Sequence, residues 1–246
     1  MTAMERVVIT GVGLVTPCGV GTDKTFENVV AGRSGIRTIS LFDPAGYSCT
    51  IAGEVPDFVA EDFIPKKKLK EMGRFSHLAL AASQLAYKDA GFSESSPIPE
   101  EIRERAGTFL GVGLGGLEGL YQQSITLKER GPSKISPYFI PSVIGNLAGG
   151  QAAMALGLRG PSYANTSACA SSAHAIGEAY EWIRRGRAPL MLAGGADATI
   201  TGLGIAGFSA MFALSRRNDG PARASRPWDR GLDGFVCAEG AGVMVL

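Results

Sequence analysis

Cys169 stands where an extended stretch, Pro161 to Ala168, gives way to a helical pattern, and its neighbours Ser167, Ala168, Ala170, Ser171 and Ser172 are all small. Small neighbours leave room for a substrate to approach the sulfur. A helix starting here would aim its unpaired N–H groups and the positive end of its dipole at that sulfur, favouring thiolate over thiol. Cysteine in such a setting can act as a nucleophile in covalent catalysis. The competing reading is a small buried residue, which free cysteines often are. A cysteine-dependent hydrolase would also need a base, and the chain has only two histidines. His174 lies five residues beyond Cys169, which on a helix means a rotation of about 140° and a rise of about 7.5 Å, so it is not expected to reach the sulfur. His77 reads as a structural histidine on the half-exposed side of its own helix. The sequence offers a nucleophile without its base.

The elements that must position Cys169 follow from hydrophobic periodicity. Ala173, Ile176, Tyr180 and Ile183 recur at helical spacing, Arg184 and Arg185 suit a C-terminal end, and Gly186 supplies the stop. Strands are expected at Arg6–Gly11, Thr108–Val112, Ser162–Ser167, Ala188–Ala193 and Ala241–Leu246. A second clear helix runs from Arg74 to Ala90, with Phe75, Leu78, Ala82, Leu85 and Ala86 on one face and Gly91 closing it. Ser93–Glu101 and Lys128–Ser136 read as loops, and Tyr121 to Ser136 as polar and turn-like. Strands alternating with helices predict an α/β fold around a largely parallel sheet. The chain stops at Gly242–Leu246, inside what reads as a buried strand, so a further segment or a partner chain is expected to complete the unit.

With 246 residues, 45% of them hydrophobic, the chain can bury a substantial core. A net charge of +1 gives no sign of nucleic-acid binding, and the apolar runs are too short and glycine-interrupted to span a bilayer. The first residues lead into Val7–Ile9 without the apolar core of a signal peptide, so a soluble cytoplasmic enzyme is expected. The four cysteines have no metal-ligand spacing, and no metal is expected. Lys66, Lys67, Lys68 and Lys70, with Arg74 nearby, form the one strong basic cluster, either solvated surface or a dock for an acidic or phosphate-bearing partner. Gly111 to Gly116 satisfies the GxGxxG pattern of a dinucleotide site. The acidic residue that should follow about twenty positions on is not apparent, which favours a turn whose glycines permit close backbone approach.

Taken together, Val7–Gly13, Gly111–Gly116, Lys134–Phe139, Gly157–Pro161, the Cys169 elbow, Ala193–Asp197, Ala213–Ser215, Ser225–Asp229, Asp233–Phe235 and Glu239–Gly242 resemble the β-ketoacyl-acyl-carrier-protein synthases, within them the type II elongating enzymes. The resemblance implies a thiolase-like fold, with residues 1–246 forming the N-terminal half of a layered αβαβα architecture around a mostly parallel mixed sheet. It implies a homodimer in which Cys169 takes an acyl group from an acyl carrier protein and malonyl-carrier protein is then decarboxylated and condensed with it. No resident cofactor is implied, since the phosphopantetheine arrives on the carrier. Gly113, Leu114 and Phe139 are implied walls of the acyl pocket, Phe139 entering the neighbouring subunit's site; Lys66, Lys67, Lys68, Lys70 and Arg217 are implied carrier-docking residues. Ser167 replaces a usual threonine, Leu232 a usual arginine and Ala238 a usual glycine. The two histidines and the lysine of the condensing step have no counterpart here, so the chain is expected to be a half without condensing machinery. The alternative is a non-catalytic, chain-length-factor-like partner, against which the retained Cys169 argues.

Overall fold

The computed structural model describes residues 4–246. In chain order the strands are β1 (Gly11–Thr16), β2 (Gly19–Val20), β3 (Ile36–Thr38), β4 (Ile51–Gly53), β5 (Gly107–Gly111), β6 (Ser162–Tyr163), β7 (Met191–Asp197) and β8 (Gly240–Val245). The helices are α1 (Thr22–Val30), α2 (Lys66–Leu69), α3 (Arg74–Asp89), α4 (Glu100–Arg103), α5 (Leu117–Arg130), α6 (Phe139–Val143), α7 (Leu147–Leu156), α8 (Ser171–Arg184) and α9 (Gly202–Ala210). Six strands form one sheet in the order β2-β1-β8-β7-β5-β6, while β3 and β4 pair apart from it. Strands β1, β7, β5 and β6 share one direction. Strand β8 runs against its neighbours β1 and β7, and β2 against β1, so antiparallel pairing enters an otherwise parallel α/β sheet.

Because side chains alternate along a strand, β5 and β7 feed two layers. Leu110 and Leu192 face α3 and α7, where they pack with Leu78, Ala82, Ala86, Ala148 and Ala152. Phe109, Met191 and Ala193 point the other way, onto Ala175, Ala179 and Ile183 of α8. Alanines on the buried helical faces let both layers lie close to the sheet. Phe109 is fully buried, with the ring of Tyr163 3.9 Å away and the indole of Trp182 edge-on at 5.5 Å. Such aromatic pairs add about 0.5–1.5 kcal/mol each beyond their buried area, and here they pin α8 across β5 and β6. A separate cluster of Ile39, Ile51, Ile200, Ile205 and Leu214 packs beneath the β3–β4 pair.

Several boundaries differ from the sequence expectation. The first strand is Gly11–Thr16 rather than Arg6–Gly11: Val8 and Ile9 are largely exposed, and alternate burial begins only at Gly11. Ser162–Ser167 contracts to Ser162–Tyr163, because Asn165 and Thr166 leave the ladder to bond to Val112. Ala188–Ala193 moves to Met191–Asp197, its Gly194–Gly195 lying between Leu110 and Gly111 of β5 and Val243 and Gly242 of β8. The segment read as turn-like from Tyr121 is helical to Arg130; α5 has no fully buried residue, so it carries no one-sided apolar pattern. The loop expected at Ser93–Glu101 ends two residues early, where α4 begins at Glu100.

The first turn of α8 rests on glycine. A Cβ on Gly111 would lie 2.2 Å from the Ser171 carbonyl carbon and 2.3 Å from its oxygen, both backbone atoms that cannot swing away. Gly111→Ala is therefore expected to lower unfolding stability by about 3 kcal/mol, as overpacking against rigid neighbours does. Gly150→Ala, in α7 with no atom within 4 Å of the new methyl, is expected to gain about 0.5–1 kcal/mol from helix propensity. Urea midpoints of the two variants, moving in opposite directions, check both.

Candidate active site

The chain reverses from β6 into α8 through Ala168, which holds φ at 52°, a left-handed conformation for a residue with a Cβ. That conformation costs about 1–2 kcal/mol and is kept only by its surroundings. Ser171, 3% exposed, supplies most of them. The Ser167 N–H donates to Ser171 Oγ at 2.8 Å, and the Ser171 hydroxyl and N–H both donate to the Ala168 carbonyl, at 2.7 and 3.1 Å. Asn165 Nδ2 donates to the Ser171 carbonyl at 2.8 Å, and Thr166 Oγ1 to the Val112 carbonyl at 2.9 Å. Cys169 sits on the crest of this elbow, exposed, one residue before the helix cap position. The cap residue is Ala170, and no side chain caps the first turn of α8. Among the described residues the Cys169 N–H also has no hydrogen-bond partner. An uncapped helix start beside a free sulfur can receive negative charge developing on a bound group.

Neither histidine supplies a base there. His174 Nδ1 lies 2.7 Å from Ser167 Oγ, and no hydrogen bond joins it to Cys169. His77 Nε2 meets the Leu69 carbonyl at 3.0 Å; burial pushes its pKa down against the pull of that bond, as suits a structural histidine. The sequence reading kept His174 away from the sulfur but did not anticipate its bond to Ser167.

Gly113 and Leu114 follow β5 on the glycine loop that leads to α5. Their N–H groups donate to Asp197 Oδ2 at 2.8 and 3.1 Å. The loop has the strand–glycine–helix form of an anion cradle, yet it already holds the protein's own carboxylate. This removes the physical basis of a dinucleotide site. Leu114 is half exposed, and Phe139 opens α6, partly buried. Two cavities lie elsewhere: one of about 850 Å3 bordered by Phe63, Met72, Tyr87 and Leu156, the other of about 580 Å3 by Tyr47, Tyr121, Thr201 and Leu203. Neither includes Cys169, Gly113, Leu114 or Phe139 in its lining.

Lys66, Lys67 and Lys68 are exposed on α2, and Lys70 follows it with its ammonium 5.3 Å from the Tyr138 ring centre. Arg74 departs from this cluster. Its guanidinium makes two 2.6 Å bonds to Glu239, which is buried and also accepts from the Val55 N–H. Arg217 is half-buried, bonded to Asp233 and to the Gly231 carbonyl. Sequence reasoning missed the structural parts played by Ser171, Asp197 and Glu239; for Asp197 the available signal was one acidic residue ending an apolar, glycine-rich strand. Among the described residues no cluster of His, Cys, Asp and Glu could hold a metal, and no helix is long and apolar enough to cross a membrane.

Burial raises the Asp197 pKa, and the backbone N–H groups of Leu114 and Gly113 offset only part of that rise. A carboxyl raised on folding binds its proton more tightly in the native state, so its contribution is complete below the unfolded pKa of about 3.9 and is lost as pH climbs towards the folded value. Asp197→Asn does not titrate. The stability of this variant relative to the unsubstituted protein should therefore shift in its favour as pH rises above about 4, measured as the difference in Tm across pH 3 to 7; a flat or falling difference contradicts the assignment.

Comparison with known proteins agrees with this geometry. The family model described as "Beta-ketoacyl synthase, N-terminal domain" matches residues 4–246. A curated relative from Synechocystis sp., named 3-oxoacyl-[acyl-carrier-protein] synthase 2, is 43% identical over 98% of this chain. The chain spans 57% of that relative's length. A crystal structure of a β-ketoacyl synthase from Burkholderia phymatum superposes with a TM-score of 0.87 at 36% identity, over 98% of this chain and 59% of that one. A type II polyketide ketosynthase solved in complex with its acyl-carrier protein superposes with a TM-score of 0.84 at 28% identity, over 98% of this chain and 58% of that one. With its thiolase-like fold and its match from residue 4 to residue 246, this chain belongs to the β-ketoacyl synthase family, through that family's N-terminal domain.

Proposed function

We propose that Cys169 is the acyl-accepting nucleophile of a 3-oxoacyl-[acyl-carrier-protein] synthase of fatty acid biosynthesis. The observation that carries this reading is the elbow: an exposed sulfur, a left-handed Ala168 before it and an uncapped helix start behind it. In the first step Sγ bonds to the carbonyl carbon of an acyl thioester on the carrier's phosphopantetheine. The oxyanion that develops is taken by the free Cys169 N–H. Collapse breaks the carbon–sulfur bond to the carrier, which leaves as its thiol with the proton that Cys169 gave up. Splitting the reaction through a covalent thioester replaces one hard step by two easier ones.

In the second step malonyl-carrier protein loses carbon dioxide, and the resulting carbanion attacks the Cys169 thioester, forming the new carbon–carbon bond and freeing the sulfur. The resemblance assigns that step to two histidines and a lysine. His174 bonds to Ser167 and His77 to Leu69, so neither serves it. By this reading the 246-residue chain accepts acyl groups and does not condense them by itself. Gly113, Leu114 and Phe139 line the acyl path, Phe139 across a homodimer. The exposed Lys66, Lys67, Lys68 and Lys70 receive the acidic carrier, while Arg217 joins them only where its bond to Asp233 gives way.

Incubation with an acyl-carrier-protein thioester, read by intact-protein mass spectrometry, tests the first step. A gain of one acyl group that disappears in Cys169→Ala is expected; an unchanged mass, or a gain that survives the substitution, overturns the assignment. Reversing the charge of Lys66, Lys67 and Lys68 together is expected to raise the carrier concentration that half-saturates single-turnover acylation about tenfold at low salt, an effect that shrinks as salt screens the attraction. A salt-independent half-saturating concentration would remove the lysines from the dock.

A further inference from the structure

We infer that Ser167 and His174 form an outer clamp on the Cys169 elbow, so that His174 is a positioning residue for the nucleophile; this rests on the reading of Cys169 as the acyl acceptor. Ser167 precedes the sulfur by two residues and His174 follows it by five, and the 2.7 Å contact between Ser167 Oγ and His174 Nδ1 closes the loop between them. Either group can donate. Asn165 Nδ2 approaches the same Ser167 hydroxyl at 3.4 Å. The histidine is itself fixed in the helix, its N–H donating to the Ala170 carbonyl at 3.0 Å.

Ala168, left-handed at φ 52°, is the only residue between this clamp and the sulfur. A residue with a Cβ relaxes to negative φ unless the peptides on either side are held. Ser171 holds the inner side, taking the Ser167 N–H and giving to the Ala168 carbonyl. That leaves the Ser167 side chain, and through it the outer edge of the turn, to His174. With both in place, Ser167 is tied to the first turn of α8 through its backbone and to the second turn through its hydroxyl. Loss of the outer tie lets Ala168 swing and moves the sulfur off the helix start, although His174 touches no substrate.

The clamp predicts coupled effects. Ser167→Ala and His174→Ala, each lacking one partner of a hydrogen bond, should slow acyl transfer to Cys169 by about three- to tenfold, in the maximal single-turnover rate with the half-saturating concentration of the carrier substrate little changed. The double variant should be no slower than the worse single one, the signature of residues acting through one contact. Ser167→Thr, which keeps the hydroxyl, and His174→Asn, whose amide can replace Nδ1, should recover most of the rate. In the same samples iodoacetamide labelling of Cys169, measured by peptide mass spectrometry against the partly exposed Cys18 as internal reference, should slow in parallel. Rates within error of the unsubstituted protein, single effects that multiply in the double variant, or a failure of both conservative variants to recover the rate overturn the clamp. If Ser167→Ala does not fold, His174→Ala against His174→Asn decides the matter alone, since His174 is on the exposed face of α8. Absence of acyl transfer in the unsubstituted protein would refute the nucleophile reading instead, and the labelling rates would still report on the clamp.

Discussion

The buried Ser171 hydroxyl joins two backbone groups, taking one hydrogen bond from the Ser167 N–H and giving one to the Ala168 carbonyl. Both bonds exist only because α8 can descend onto the sheet until its first turn nearly touches β5 and β7. Gly111 and Gly195 make that descent possible: a methyl on Gly195 would stand 2.8 Å from the Ser172 Cβ, and one on Gly111 2.2 Å from the Ser171 backbone, far inside van der Waals contact. Strand glycine, helix approach, serine bridge and left-handed alanine thus form one dependent series. The cysteine at its end is left exposed on the crest of the turn.

A second constraint links distant parts of the chain through buried charge. Arg74 at the start of α3 clasps Glu239 just before β8, and Glu239 also receives the Val55 N–H from the segment after β4. Three elements far apart in sequence therefore meet on one carboxylate. Removal of the arginine alone would strand a buried charge, an arrangement far costlier than the net worth of the intact pair. Asp197 works on a smaller scale, substituting for an external anion at the loop after β5 and fixing that loop in the sheet's own frame.

The legible parts of the fold were those where one element carries its whole signal locally. α3 and α8 have apolar residues at helical spacing and clear stops, and both lie within a residue or two of expectation. β5 is a short apolar run buried on both faces, and β8 one whose alternate residues are buried. Elements defined by their partners were obscure. β1 was misplaced onto the hydrophobic Val8 and Ile9, which stay exposed, because two of the residues that pack against α3 are Gly11 and Gly13, which have no hydropathy to read. α5 was missed because its apolar Leu120, Tyr121 and Leu127 are all substantially exposed. At the site, Cys169 was visible from its small neighbours and the helix that follows. Ser171 was not, because a serine among serines gives no sign of which hydroxyl is buried.

The position of β8 also orders the events of folding. This strand lies between β1 and β7 and bonds to both, Gly11 facing Val245 and Asp197 facing Gly240. Until residues 240–245 have emerged from the ribosome, β1 and β2 have no place in the sheet, and the β7 edge stands open. Closure of so large a loop carries a high entropic cost before any native contact compensates it, and such topologies fold slowly. With β5 and β7 paired and β8 not yet in place, the β7 edge would be an unpaired apolar strand edge, a surface that pairs with other chains unless it is covered.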